Sequence, residues 1–191
     1  MISCSELSKA ASQQNSTVYV IQAQPQRTYE DVGGKKNISR MGIAFVALYD
    51  YQRDRISVYS EAEIMACIDI LTAAHRLVGC HLEKFVFRLL AGYQSFDLNR
   101  IERIDMLDEV SRKIGRKTEL DDLLFSTLEI KRPTDPMKMA RLFQHGQVEQ
   151  VKKTTIQIAK DLAAIYRHGR EKGYVFINGP FGQRWKISVA W

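Results

Sequence analysis

Apolar positions fall in short strand-length runs in the first third of the chain and in helical stripes after it. From Thr17 the run T-V-Y-V-I-Q-A-Q is β-branched and aromatic. It predicts a first strand that Pro25 stops, because proline has no N–H to offer a sheet ladder. Gly33-Gly34 marks a turn. The near-continuous apolar run over 41–51, M-G-I-A-F-V-A-L-Y-D-Y, and the segment 55–59 beyond the polar Gln52-Arg53-Asp54 predict a hairpin. Ser60 with Glu63 forms a capping box, and Ile64, Ile68, Leu71 and His75 recur at helical spacing, predicting a helix over 61–76. A short buried strand is expected over 77–80. A second helix is expected over 82–93, with Phe85, Val86, Leu89 and Leu90 inward and His81, Lys84 and Arg88 on the opposite side.

Further helices are predicted over 106–114, 119–128 and 136–145, where Pro136 suits a first-turn position. The longest signal runs over 147–172. There Val148, Val151, Thr155, Ile158, Leu162 and Ile165 recur in steps of three and four, and Gly173 caps the end. Two closing strands over 174–178 and 184–191 flank N-G-P-F-G-Q, which has hairpin turn chemistry. Strands first, then alternating helices and strands, then a hairpin, indicate an α/β fold with a mixed sheet, in one domain over 17–191. The Ser- and Gln-rich residues 1–16 read as a flexible N-terminal tail.

The 191 residues, 45% hydrophobic and 26% charged, are the makeup of a folded domain rather than of a disordered or fibrous chain. A net charge of +6 inclines the chain toward anionic partners. Cys4, Cys67 and Cys80 are odd in number and lack C-x-x-C spacing, which speaks against a disulfide framework or a zinc site and fits a reducing, cytoplasmic setting. No apolar run reaches the ~18 residues of a membrane helix, so no membrane partner is expected. Walker, G-x-G-x-x-G, G-x-S-x-G and H-E-x-x-H motifs are absent. Each histidine stands alone, and His75 and His168 sit near expected helix C-termini, where a cation is favoured.

Five stretches, in order, carry a family resemblance: E-D-V-G-G-K-K-N-I-S-R-M-G-I-A over 30–44, L-V-G-C-H-L-E-K-F over 77–85, I-D-M-L-D-E-V over 104–110, A-R-L-F-Q-H-G over 140–146 and Y-R-H-G-R-E-K-G-Y over 166–174. Over 19–191 the chain resembles the ribonuclease H-like 3′-5′ exonuclease superfamily of DEDD type, in its bacterial branch of predicted nuclease domains often found with helicases. The resemblance implies a three-layer α/β fold with a central mixed sheet and helices on both faces. In that family a D-x-E pair on the first strand, an Asp after the G-F-N motif and an Asp on the last long helix hold two Mg²⁺ ions that activate a water for phosphodiester cleavage.

Laid over that pattern, this chain has Gln22 and Gln24 at the D-x-E pair, Val86 at the third acid and Ile158 at the fourth. Two Mg²⁺ ions ~4 Å apart repel by about 16 kcal/mol at an effective dielectric near 20, and amide oxygens and hydrocarbon do not offset that. The expectation is a nuclease fold without its metal chemistry and without a cofactor, its cleft left neutral and open to phosphate. Candidate contacts are Lys35, Lys36, Arg40, His81, Lys84, Arg88, Lys131, Arg132, Lys138 and Arg141. A second reading is a protein scaffold within a helicase or nuclease complex, for which Phe181, Tyr49 and Tyr51 are the exposed apolar candidates. In a third, Asp31, Asp105 or Asp161 rebuilds a Mg²⁺- or Mn²⁺-dependent exonuclease site.

Overall fold

The computed structural model describes residues 17–94 and 101–191; the expected tail over 1–16 lies outside them. β1 (Val18–Pro25), β2 (Ile43–Asp50), β3 (Arg55–Tyr59), β4 (Arg76–Gly79) and β5 (Glu102–Asp105) form one sheet in the order β3-β2-β1-β4-β5. β1 is antiparallel to β2 and parallel to β4; β2 and β3 are antiparallel, β4 and β5 parallel. Central position explains the unbroken apolar runs: Val20 and Ile21 point to opposite faces, and both are fully buried. All eight residues of β2 are buried.

On one face, Ile21 and Ala23 pack with Ile64, Ile68 and Leu71 of α1 (Ile64–Thr72) and with Leu89 and Leu90 of α2 (Phe87–Leu90). On the other, Val18 and Val20 meet Met106 and Val110 of α3 (Met106–Ile114), Leu123 and Leu124 of α4 (Leu120–Leu128), and Ile158 and Leu162 of α6 (Val148–Lys172). In the chain between those last two helices, α5 (Pro136–Gln144) packs on β1 and α6, with Pro136 in its first turn and Asp135 capping it through the Met137 amide at 2.9 Å. Two helical layers thus enclose the sheet. The closing strands β6 (Tyr174–Asn178) and β7 (Arg184–Ser188) pair only with each other, and Val175 and Ile177 bury their inner face in the α4 and α6 core.

Several expectations shift on folding. The capping box forms, but the helix predicted over 61–76 ends at Thr72, because the His75 and Arg76 amides donate to the Thr17 carbonyl and enter the sheet. His75 is therefore exposed outside the helix, 3.9 Å from Glu102. β5 was not expected: E-R-I-D is short, largely polar and, among the described residues, paired along its β4 edge alone, so it has no apolar period to detect. Val148 leads its stripe but is exposed, since the first turn of α6 extends past the core. His168 is half-buried against the Tyr174 ring, and burial, followed by the nearby Lys172, lowers its pKa, the opposite of a helix-end cation. No helix among the described residues is long and apolar enough to cross a membrane.

Candidate functional site

Beyond the carboxyl ends of the parallel strands β1 and β4 lies a cavity of about 820 Å³. Open α/β sheets place ligands there because the chain diverges at the strand ends and leaves a crevice. Gln22, Ala23, Cys80 and Val86 form its floor.

One wall is built from unusual backbone. His81 follows β4 with φ of 54° in the left-handed region, and Leu82–Val86 then forms a π turn in which the Phe85 and Val86 amides both donate to the His81 carbonyl, at 2.9 and 3.1 Å. Asp105 ties the turn to β5 by accepting from the Leu82 amide at 2.7 Å. Gly79 lets the turn close onto the sheet, since a Cβ there would lie 2.7 Å from Leu82 Cδ2. The regular helix expected over 82–93 is thus a π turn joined to the single turn of α2, and Leu82 and Phe87 are buried along with the predicted inner residues.

This wall presents Lys35, His81, Lys84 and Arg88 to the cavity. Arg88 donates to the Lys35 and Lys36 carbonyls, each at 3.2 Å, and so fastens the 3₁₀ turn Lys35–Arg40 to α2. Lys35 lies over the Tyr29 ring, 5.5 Å from its centroid, and Lys84 pairs with Asp108 at 2.6 Å. The opposite wall is acidic: Glu119, Asp121 and Asp122 at the start of α4, and Asp135 at the start of α5. Carboxylates at helix N-termini are stabilised by the exposed amides and by the dipole there. The neutral cleft expected from the sequence is therefore not what forms; it has one basic and one acidic wall.

Of the ten basic candidates, only Lys35, His81, Lys84 and Arg88 line the cavity. Arg132 pairs with the buried Asp161 at 2.7 Å, Lys131 lies 5.0 Å from the Phe125 centroid, and Arg141 sits 3.7 Å from Glu30 on the surface. Lys36, Arg40 and Lys138 are outside the lining as well. The acidic wall was missed as a part of the site, although Asp135-Pro136 and the acids over 119–122 are readable as helix starts.

The four positions equated with metal-binding acids separate. Gln22 and Val86 line the floor, with Gln22 Nε2 donating to the Ala23 carbonyl at 3.2 Å. Gln24 is fully buried with neither amide atom hydrogen-bonded, and Ile158 lies in the core with Val20 and Leu162. One half-buried amide and one hydrocarbon at the floor do not make a donor set for a pair of divalent cations. Among the described residues, no group of three or more His, Cys, Asp or Glu is placed to hold a metal ion.

The substitute acids serve elsewhere. Asp31 accepts from Thr28 and Gln144, and these bonds, Gln144 first, hold its carboxyl below the ordinary value. Asp105 caps α3 through the Asp108 amide, and Asp161 accepts from Arg132 and Gln157. At the floor, burial, with the charge of Asp105, pushes the Cys80 thiol well above the ordinary value, which favours the thiol over the thiolate.

Comparison with protein-family models and with curated protein sequences finds no match. Among solved structures, the family B DNA polymerase from the hyperthermophilic archaeon Pyrobaculum calidifontis is similar to this chain, with a TM-score of 0.61 at 11% sequence identity. The likeness covers 82% of this chain and 24% of the polymerase, so the chain spans about a quarter of that protein's length. Strand order, the two helical layers and this likeness together make the domain an α/β three-layer fold of ribonuclease H type.

Proposed function

We propose that this domain binds nucleic acid in its cleft and does not cleave it by two-metal chemistry. The observation that supports this reading most is the floor. Gln22 and Val86, at two positions where the resembled nucleases carry acids, occupy it, while the wall above them holds Lys35, His81, Lys84 and Arg88. With no carboxylates on the floor, a phosphate approaching the basic wall meets no repulsion from below and needs no metal ion to offset it. The acidic wall repels the same phosphate, which confines the backbone of a strand to the basic side and leaves bases to face the carboxylates and the Tyr29 ring. The scaffold reading draws less support. Tyr49 is buried with its hydroxyl hydrogen-bonded to Asp54, and Tyr51 packs on Tyr166 with centroids 5.0 Å apart, so of its three candidates only Phe181 is exposed.

The test is titration of a labelled single-stranded oligonucleotide in EDTA at several salt concentrations, with a parallel cleavage assay in Mg²⁺ and Mn²⁺. Binding without metal is expected, weakening with salt at a log-log slope of about −0.7 per phosphate contact, and no metal-stimulated cleavage. Cleavage abolished by Asp105→Asn or Asp161→Asn would reject the inactive reading, and absence of binding at low salt would transfer preference to a protein partner.

A further inference from the structure

We propose that a single strand bound in the cleft continues out of it along a second site, a basic groove beside α3 that ends on the outer face of the β6–β7 hairpin. The choice of ligand rests on the reading of the cleft; the path is a separate claim. Lys84 lines the cavity and also opens the groove, about 420 Å³ in volume, whose other charged residues are Arg112, Arg116, Lys117 and Asp108. Four cations against one carboxylate make this groove more positive than the cleft it leaves. It follows α3, whose nine residues span about 14 Å, roughly four nucleotides at the stacked repeat of one strand.

At the far end Arg116 joins groove to hairpin. Its guanidinium donates to the Asn178 carbonyl and lies 5.8 Å from the ring centroid of Trp185, which shares the inner face with its partner Ile177, so the bound strand crosses the hairpin edge to reach the outer face. Beyond it, the pleat and register sort the hairpin residues. Val175 and Ile177 face the core, while Tyr174 and Phe176, with Lys186 and Arg184 from the paired strand, share the outer face. Arg184 stacks 4.0 Å from the Phe176 centroid and Lys186 3.8 Å from that of Tyr174, with the two rings edge to face at 5.2 Å.

With Arg184 and Lys186 laid over these rings, the outer face offers phosphates positive charge and offers bases the guanidinium plane of Arg184, without sequence preference. The hairpin tip adds Phe181, 99% exposed and held at φ of 60°, where a bulky side chain is a strained outlier. Burial accounts for neither its exposure nor its strain; a base stacked on its ring accounts for the first.

Oligothymidylates of about four and about fifteen nucleotides, lengths at the two ends of common single-strand site sizes, distinguish the path from the cleft. Lys117→Glu with Lys186→Glu should weaken the longer strand about tenfold or more and reduce its salt slope by about 1.4, with the shorter strand unaffected. Lys117→Glu alone, outside the hairpin, should give part of that loss, so a displaced hairpin cannot mimic the result. Phe181→Ala should cost the longer strand about fivefold, the loss of one base stack of about 1 kcal/mol. If the longer strand ignores all three changes yet is lost on Lys84→Glu with Arg88→Glu, the path is wrong and the cleft reading stands. If the parent binds neither length at low salt, the cleft reading fails and the path with it. Displacement of the strand by polyglutamate at equal charge concentration would reassign the groove to an acidic protein and overturn the proposal.

Discussion

The two walls of the cleft are charged for different physical reasons. On the acidic side, charge follows from local structure: Asp135 caps α5, and Asp121 and Asp122 sit in the first turn of α4, accepting from Thr134, Ser126 and Asn178. These carboxylates would stabilise their helices in any fold. On the basic side the backbone itself is unfavourable, with His81 left-handed and the next five residues in a π turn. Strain of this kind costs about 1–3 kcal/mol and persists only where surrounding structure enforces it, here Asp105 below and Gly79 behind. The acidic wall is thus accounted for by helix starts, whereas the basic wall rests on a strained turn that the surrounding structure enforces.

The strongest way to break the comparison is to reverse the basic wall. Lys84→Glu with Arg88→Glu is expected to weaken oligonucleotide binding about a hundredfold, about 2.7 kcal/mol, measured by fluorescence anisotropy at fixed salt. Because Arg88 also fastens the Lys35–Arg40 turn, Lys84→Glu alone, which keeps that anchor, should give part of the loss with an unchanged circular dichroism spectrum. A change on the acidic wall should instead be read out in stability. Asp135→Ala removes a helix cap and is expected to cost about 1 kcal/mol in urea unfolding while tightening binding severalfold, because one repelling carboxylate has gone. Were Asp135→Ala neutral to stability, the structural account of that wall would fail. The smallest effect belongs to His81→Gly. Glycine accepts the left-handed conformation freely, and stability should rise by a few tenths to about 1 kcal/mol while binding weakens. A loss of stability would show that the His81 side chain, not the sheet, holds the turn in place.

Much of the scaffold was legible in the chain because burial imposes a period that residue type reveals. Val151, Thr155, Ile158, Leu162 and Ile165 were expected to face the core, and all five are fully buried. The β1 and β2 segments were legible from their apolar runs, β3 from its place after the polar Gln52-Arg53-Asp54, and α5 from Pro136, because a central strand, a hairpin turn and a helix N-terminus each have a local chemical signature. β5 was hidden for the reciprocal reason, a polar edge strand having almost nothing to bury. The π turn was hidden too, because one extra residue per turn shifts a helical stripe by less than a short segment can display.

The sequence by itself determined the identity of the side chains at the four positions equated with acids, Gln22, Gln24, Val86 and Ile158, and the order along the chain of every strand but the polar β5. Tertiary structure alone decided which of them share a site: Gln22 and Val86 come together on the floor while Gln24 and Ile158 are enclosed behind it. It also decided the charge of the cleft, by bringing the start of α4 and Asp135 opposite Lys84 and Arg88. Periodicity reports only whether a residue faces inward from its own element. Which distant element it then faces depends on how the sheet orders its strands and on where the helix ends fall, and that is set by the packing of the whole domain.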